Sequence, residues 1–149
     1  MLDAIAEGFA PADLTSFCCL DGLGLVVTGQ KVAPDGAVLA CQVSEEDRWC
    51  RRCGCEGGVR DSVTRRLAHE PFGWRPTTLV VTLRRFRCEH CGHVWRQNMT
   101  SAAEPRAKLS RRALTWALEA LVVGHLSVPR RGQRRWRCST TPQAPGRSR

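Results

Sequence analysis

One pattern occurs twice in this chain, as Cys50-Arg51-Arg52-Cys53-Gly54 and as Cys88-Glu89-His90-Cys91-Gly92. Two thiolates three positions apart can grip one face of a metal ion if the backbone turns tightly between them. A glycine just after the second cysteine permits a left-handed backbone there and lets N–H groups approach the sulfurs. Two such knuckles supply four sulfurs, the donor set of a tetrahedral structural zinc site. The spacer exceeds the roughly 15–20 residues of compact zinc patterns, but it reads as two strands that leave one knuckle and return to the other. Cys50, Cys53, Cys88 and Cys91 are therefore the expected ligands of one Zn2+. Four thiolates leave no open position for water, so the ion is expected to be structural, with no hydrolytic chemistry at the metal.

Other candidates near this site are weaker. Cys55 can replace Cys53 only through a Cys-x-Cys, which lacks the knuckle turn. His93 can substitute for Cys91, and His90 is expected to point away from the ion. Cys18 and Cys19 are adjacent, so their side chains diverge and they read as ordinary thiols. Nine cysteines is an odd count, and the start Met1-Leu2-Asp3-Ala4 has no basic n-region. A reducing cytoplasm is the expected location, and no apolar run approaches membrane-spanning length.

Charge is unevenly spread. Residues 1–49 hold eight acids against Lys31 and Arg48, a net of −6, so the remainder carries +15 of a formal +9 overall. A basic metal module beside an acidic flank points to a polyanion partner, most simply DNA. Arg51, Arg52, Arg84, Arg85, Arg87 and Arg96 are expected around the metal end, gripping phosphates largely without reading sequence. The plainer reading of these arginines is a solvated face.

The expected fold is a small α+β one. Residues 1–21 form a weakly structured N-terminal segment, with an amphipathic helix (Leu2, Ile5, Ala6, Phe9) ending near Pro11 and irregular chain after it. Residues 22–99 form a β-rich zinc-ribbon domain. Within it, residues 23–28 and 37–43 make a hairpin around Pro34-Asp35-Gly36, with Cys41 facing the core. Residues 59–67 are a weak strand: Val59, Val63 and Leu67 share a face with Asp61 and Arg65. Residues 71–76 read as a rigid turn, residues 77–87 as the strongest strand, and residues 94–96 as a short closing strand. Residues 100–128 hold a loop and a long helix capped by Ser110. That helix is apolar over most of its circumference and expects neighbours on several sides. Residues 129–149 read as a disordered basic tail. Their Arg, Pro, Ser and Thr are also what GC-rich coding DNA yields out of frame, so a frameshift near residue 129 is expected.

Several of these segments together resemble transposases of the ISL-three insertion-sequence family. The likeness rests on the hairpin of residues 23–43, both knuckles, Phe72-Gly73-Trp74-Arg75-Pro76 and Arg84-Arg85-Phe86-Arg87-Cys88. It continues through Gly92-His93-Val94-Trp95-Arg96, residues 103–114, Trp116-Ala117-Leu118-Glu119 and His125-Leu126-Ser127-Val128, covering roughly residues 20–128. The resemblance implies an N-terminal zinc-binding region, then a helix-turn-helix whose first helix is residues 110–126, then a catalytic domain with a carboxylate triad. It implies DNA, the terminal repeats of a transposon, as partner, with Arg111 and Arg112 added to the contacts. Localisation would be cytoplasmic, with the nucleoid when bound. The departure lies after Val128, where the recognition helix is missing or garbled. No catalytic domain is expected after it: only Glu119 lies in the helical segment near the C-terminus, one carboxylate cannot build a two-metal site, and the chain is expected to be non-catalytic. Two other readings stay open: an interaction or inhibitory fragment that pairs with intact transposase or with itself, and a rubredoxin-like iron electron carrier.

Overall fold

The computed structural model describes residues 12–124. The helix read around Leu2–Phe9, the tail from residue 129, and His125 and Leu126 lie outside the described residues. A one-turn helix, α1 (Leu14–Phe17), stands where irregular chain was expected. Asp13 caps it, its carboxylate accepting from the N–H groups of Thr15 and Ser16 at 3.0 and 3.1 Å. A 3-10 turn, Asp21–Leu23, follows. Strand β1 (Leu25–Ala33) therefore starts later than the sequence suggested and runs further, to a tight turn into β2 (Gly36–Val43).

Two long strands come next, β3 (Gly57–Phe72) and β4 (Arg75–Cys88), then the short β5 (Val94–Arg96) and the helix α2 (Arg111–Val123). The sheet is mixed, in the order β1-β2-β4-β3, with β5 also on β4. Its unforeseen feature is that β2 pairs with β4 in parallel, Ala37 opposite Thr77 through Gln42 opposite Thr82. The N-terminal hairpin and the cysteine-bearing strands thus form one continuous sheet. The expected turn of residues 71–76 is much shorter: Phe72 pairs with Arg75, leaving Gly73 and Trp74 as a two-residue loop.

Leu39, Cys41, Leu67, Leu79, Val81 and Leu83 line one face of the sheet and are almost fully buried. The segments on either side of the strands cover that face with Leu20, Leu23, Met99, Ala102 and Ala103. The loop read at residues 100–105 contributes Ala102 and Ala103 to this core, Ala107 packs against it, and Leu109 bridges to Ala68 of β3. Period-two alternation accounts for most of the faces. A bulge between Val59 and Asp61 breaks it, so Val59 pairs with Phe86, leaves the face of Val63 and Leu67, and is exposed. Asp61 and Arg65, the polar residues that weakened this strand in sequence, are satisfied on the inner face. Arg85 binds Asp61, and Arg65 donates to the carbonyls of Glu104 and Ala107, both at 2.7 Å.

Candidate metal centre

The four cysteines of the duplicated pattern converge, with their sulfurs all within 4.8 Å of one another. The spacings are 3.5 Å for Cys50–Cys91, 3.4 Å for Cys53–Cys88 and 3.5 Å for Cys53–Cys91. These are too long for disulfides. Sulfurs about 2.3 Å from one ion stand about 3.8 Å apart, so the cluster is close to the size a single tetrahedral metal requires. The four can hold one metal ion.

Each knuckle is built the same way. The N–H of Gly54 donates to the carbonyl of Cys50 at 2.8 Å, and that of Gly92 to Cys88 at 2.9 Å. The N–H of Cys50 donates to the carbonyl of Cys55, and that of Cys88 to His93, both at 2.9 Å. Cys55 and His93 thus occupy equivalent positions and contribute backbone oxygens; neither side chain joins the cluster. Gly54 and Gly92 have φ of +73° and +68° with open space beside them, so conformation rather than crowding selects glycine. His90 is exposed, and its side chain does not join the cluster.

The electrostatics divide the four thiols: Cys50 and Cys88 are lowered, while Cys53 and Cys91 are raised, the backbone N–H groups of Cys55 and His93 being outweighed by burial and by hydrogen bonds to neighbouring sulfurs. Burial works against ionisation of Cys50, but the N–H groups of Arg52 and Cys53 and the Cys91 thiol outweigh it and hold Cys50 at about 7, down from 9.0. Cys88 is lowered as well, chiefly by the backbone N–H of Cys91. Burial instead pushes Cys41 up to about 11, assisted by Cys18, which leaves a core thiol without thiolate character.

Residues given no site role in the sequence hold the knuckles against the sheet. Trp95 Nε1 donates to the carbonyl of Asp47 at 2.9 Å, and the indole stacks on Phe86 and on His93 with centroids 5.8 and 5.9 Å apart. A Cβ on Gly57 would overlap Trp95 Cη2, so the backbone must be bare there. Gln97 is buried with its polar groups satisfied: its side chain donates to the Glu45 carbonyl and accepts from the Arg84 N–H, both at 2.8 Å. A lone Gln after an Arg gives no sequence signal for such a bridge.

The arginines expected to meet DNA do not form one patch. Arg84 lies on the opposite face from Arg85 and Arg87, while Arg96 sits across from Arg85. Arg51 pairs with Asp47, Arg84 with Glu46, Arg85 with Asp61, Arg111 with Glu104 and Arg112 with Glu70. The Arg85 fork holds the Asp61 carboxyl below its usual range. Arg52, Arg87 and Arg96 are exposed and have no ion pair among the described residues. Part of the acidic flank therefore folds back onto the basic end. No described helix is long and apolar enough to cross a membrane. Comparison with family models, curated proteins and solved structures found no match.

Proposed function

We propose that the four cysteines hold one structural zinc ion and that the sheet they organise is a zinc-ribbon DNA-binding module, the end-recognition part of a transposase resembling the ISL-three family. The convergence of two identically built knuckles on one four-sulfur cluster carries this reading. Bound there, zinc would cross-link the first knuckle to β4 and β5, stabilising an end of the sheet with little apolar core of its own. The module has no catalytic role. Exposed arginines at the metal end hold phosphates, and α2 opens a helix-turn-helix that supplies base contacts.

The test measures metal content and DNA binding together. The purified chain should be colourless with one zinc per chain, whereas visible colour and iron would support electron transfer instead. It should also bind duplex terminal-repeat DNA with an affinity that falls steeply as salt rises. A metal-loaded, folded chain that ignores DNA at low salt would rule the module out. One observation favours pairing with another protein, intact transposase included: Leu114, Trp116, Leu118, Val122 and Val123 are exposed on α2. Adding intact transposase to the same DNA assay separates the two readings.

A further inference from the structure

A groove of about 400 Å³ opens between the first knuckle and the segment after β5. Its walls carry three arginines, Arg51, Arg65 and Arg96, together with Gln97, Asn98 and Thr100, and no carboxylate. Arg65 is half-buried; its Nη2 is held by the carbonyls of Glu104 and Ala107 and its Nη1 by Met99 Sδ, so its charge meets only neutral partners. Arg96 has no ion pair among the described residues. The partner of Arg51 is Asp47, four residues earlier in a surface pair, an arrangement that contributes little and leaves the guanidinium free to turn. Arg87, on the same side of the sheet as Arg96 and without an ion pair among the described residues, extends the positive field beyond the groove, whereas Arg85 on that side is bound to Asp61.

Guanidinium forks match the geometry of tetrahedral oxyanions, and side-chain amides and hydroxyls complete such sites. We propose that this groove binds a phosphate group, either a phosphodiester of a nucleic-acid strand or free inorganic phosphate. The inference rests on the proposed DNA-binding function and narrows it to a place. Of the arginines expected from sequence it selects Arg51 and Arg96, it adds Arg65, and it leaves Arg84, Arg111 and Arg112 to their carboxylates. Arg51 lies inside the first knuckle, so a metal there would fix one wall of the groove.

The experiment uses the full chain purified with its metal. Inorganic phosphate and a short duplex are titrated separately while the arginine Nε–H resonances are followed. Both ligands should shift Arg51, Arg65 and Arg96, and the duplex should bind more tightly. Arg96→Ala should weaken duplex binding and make the slope of log K against log salt shallower by about 1, as expected for one lost phosphate contact. Arg96→Glu should weaken it further, while far-ultraviolet circular dichroism stays unchanged. Arg65→Ala releases the 104–107 loop and can unfold it, so Arg65→Lys serves at that position. Duplex binding with unaltered affinity and salt slope in both Arg51→Ala and Arg96→Ala would overturn the groove and leave DNA binding standing. Phosphate shifts at the three arginines without any duplex binding would support the groove and overturn the DNA-binding reading.

Discussion

Trp74 stands at the tip of the β3–β4 hairpin with φ +69° and 98% of its surface exposed. A left-handed backbone costs a bulky L-residue roughly 1–2 kcal/mol, and an indole in solvent returns nothing to offset it. Trp74→Gly is expected to stabilise the fold by about 0.5–1 kcal/mol after the greater freedom of glycine in the unfolded chain is counted. The urea midpoint should rise at unchanged slope; a lower midpoint would mean the indole has a contact that matters. Gly57→Ala should do the reverse, costing about 1–3 kcal/mol as Trp95 is pushed from its place. His69 adds a pH dependence. Burial holds its pKa below 6.5, with Arg112 lowering it further and Glu70 opposing. Its folded value lies below its unfolded one, so the stability it contributes is complete above the unfolded pKa. That stability is lost as pH falls from there through the folded pKa, by at most about 1.4 kcal/mol per unit. The slope between pH 6.5 and 5 should be shallower in His69→Gln; parallel profiles would assign it to other groups. The sequence made the cysteines legible because spacing and a following glycine specify a knuckle by themselves. It left Gln97 and Arg65 unread because their partners are mostly backbone groups that come near only after folding.

At the level of elements, α2 shows both sides of that legibility. Its start was readable: Ser110 accepts from the Ala113 N–H at 3.1 Å, an ordinary cap. The same hydroxyl lies 2.7 Å from His69 Nδ1, both side chains are buried, and this contact docks the helix on β3. Ser110→Ala should therefore cost about 1–3 kcal/mol, since a cap is lost and a buried imidazole nitrogen is orphaned. Faster hydrogen exchange confined to the first turns of α2 and to the β3 residues near His69 would register it. Stability equal to wild type would show that water fills the gap. The helical periodicity was visible, but not its seat: only Ala113 is buried, and Leu114, Trp116, Leu118, Val122 and Val123 are exposed. The β1–β2 hairpin was legible through Gly36 and its alternating neighbours. The parallel pairing of β2 with β4 was not, because either strand could have been an edge and no local residue records which other strand it meets.

Across the whole molecule, residues 12–124 carry 16 Lys and Arg against 12 Asp and Glu, a net of +4, so more than half of the formal +9 lies outside the described residues. Composition gave the sum; it did not show that Glu46, Asp47 and Asp61 return to the arginines of the metal end. Structural zinc sites are worth roughly 10–16 kcal/mol, comparable with the 5–15 kcal/mol stability of a whole domain. Chelation is therefore expected to strip exchange protection from residues 48–58 and 86–97 first, with Leu39, Leu79 and Val81 holding out longest. Cys50→Ser should reproduce the loss, while Cys55→Ser should stay within about 0.5 kcal/mol of wild type. Protection that survives chelation at both knuckles would remove the ion from any structural role. The strand order has one more consequence, which concerns synthesis. β4, the last of the long strands to leave the ribosome, occupies the middle of the sheet, so the hairpin made first must wait with the outer side of β2 bare. A nascent chain paused before residue 75 offers that edge to any neighbour, and crowding on polysomes should cost this protein more yield than slow refolding of the finished chain.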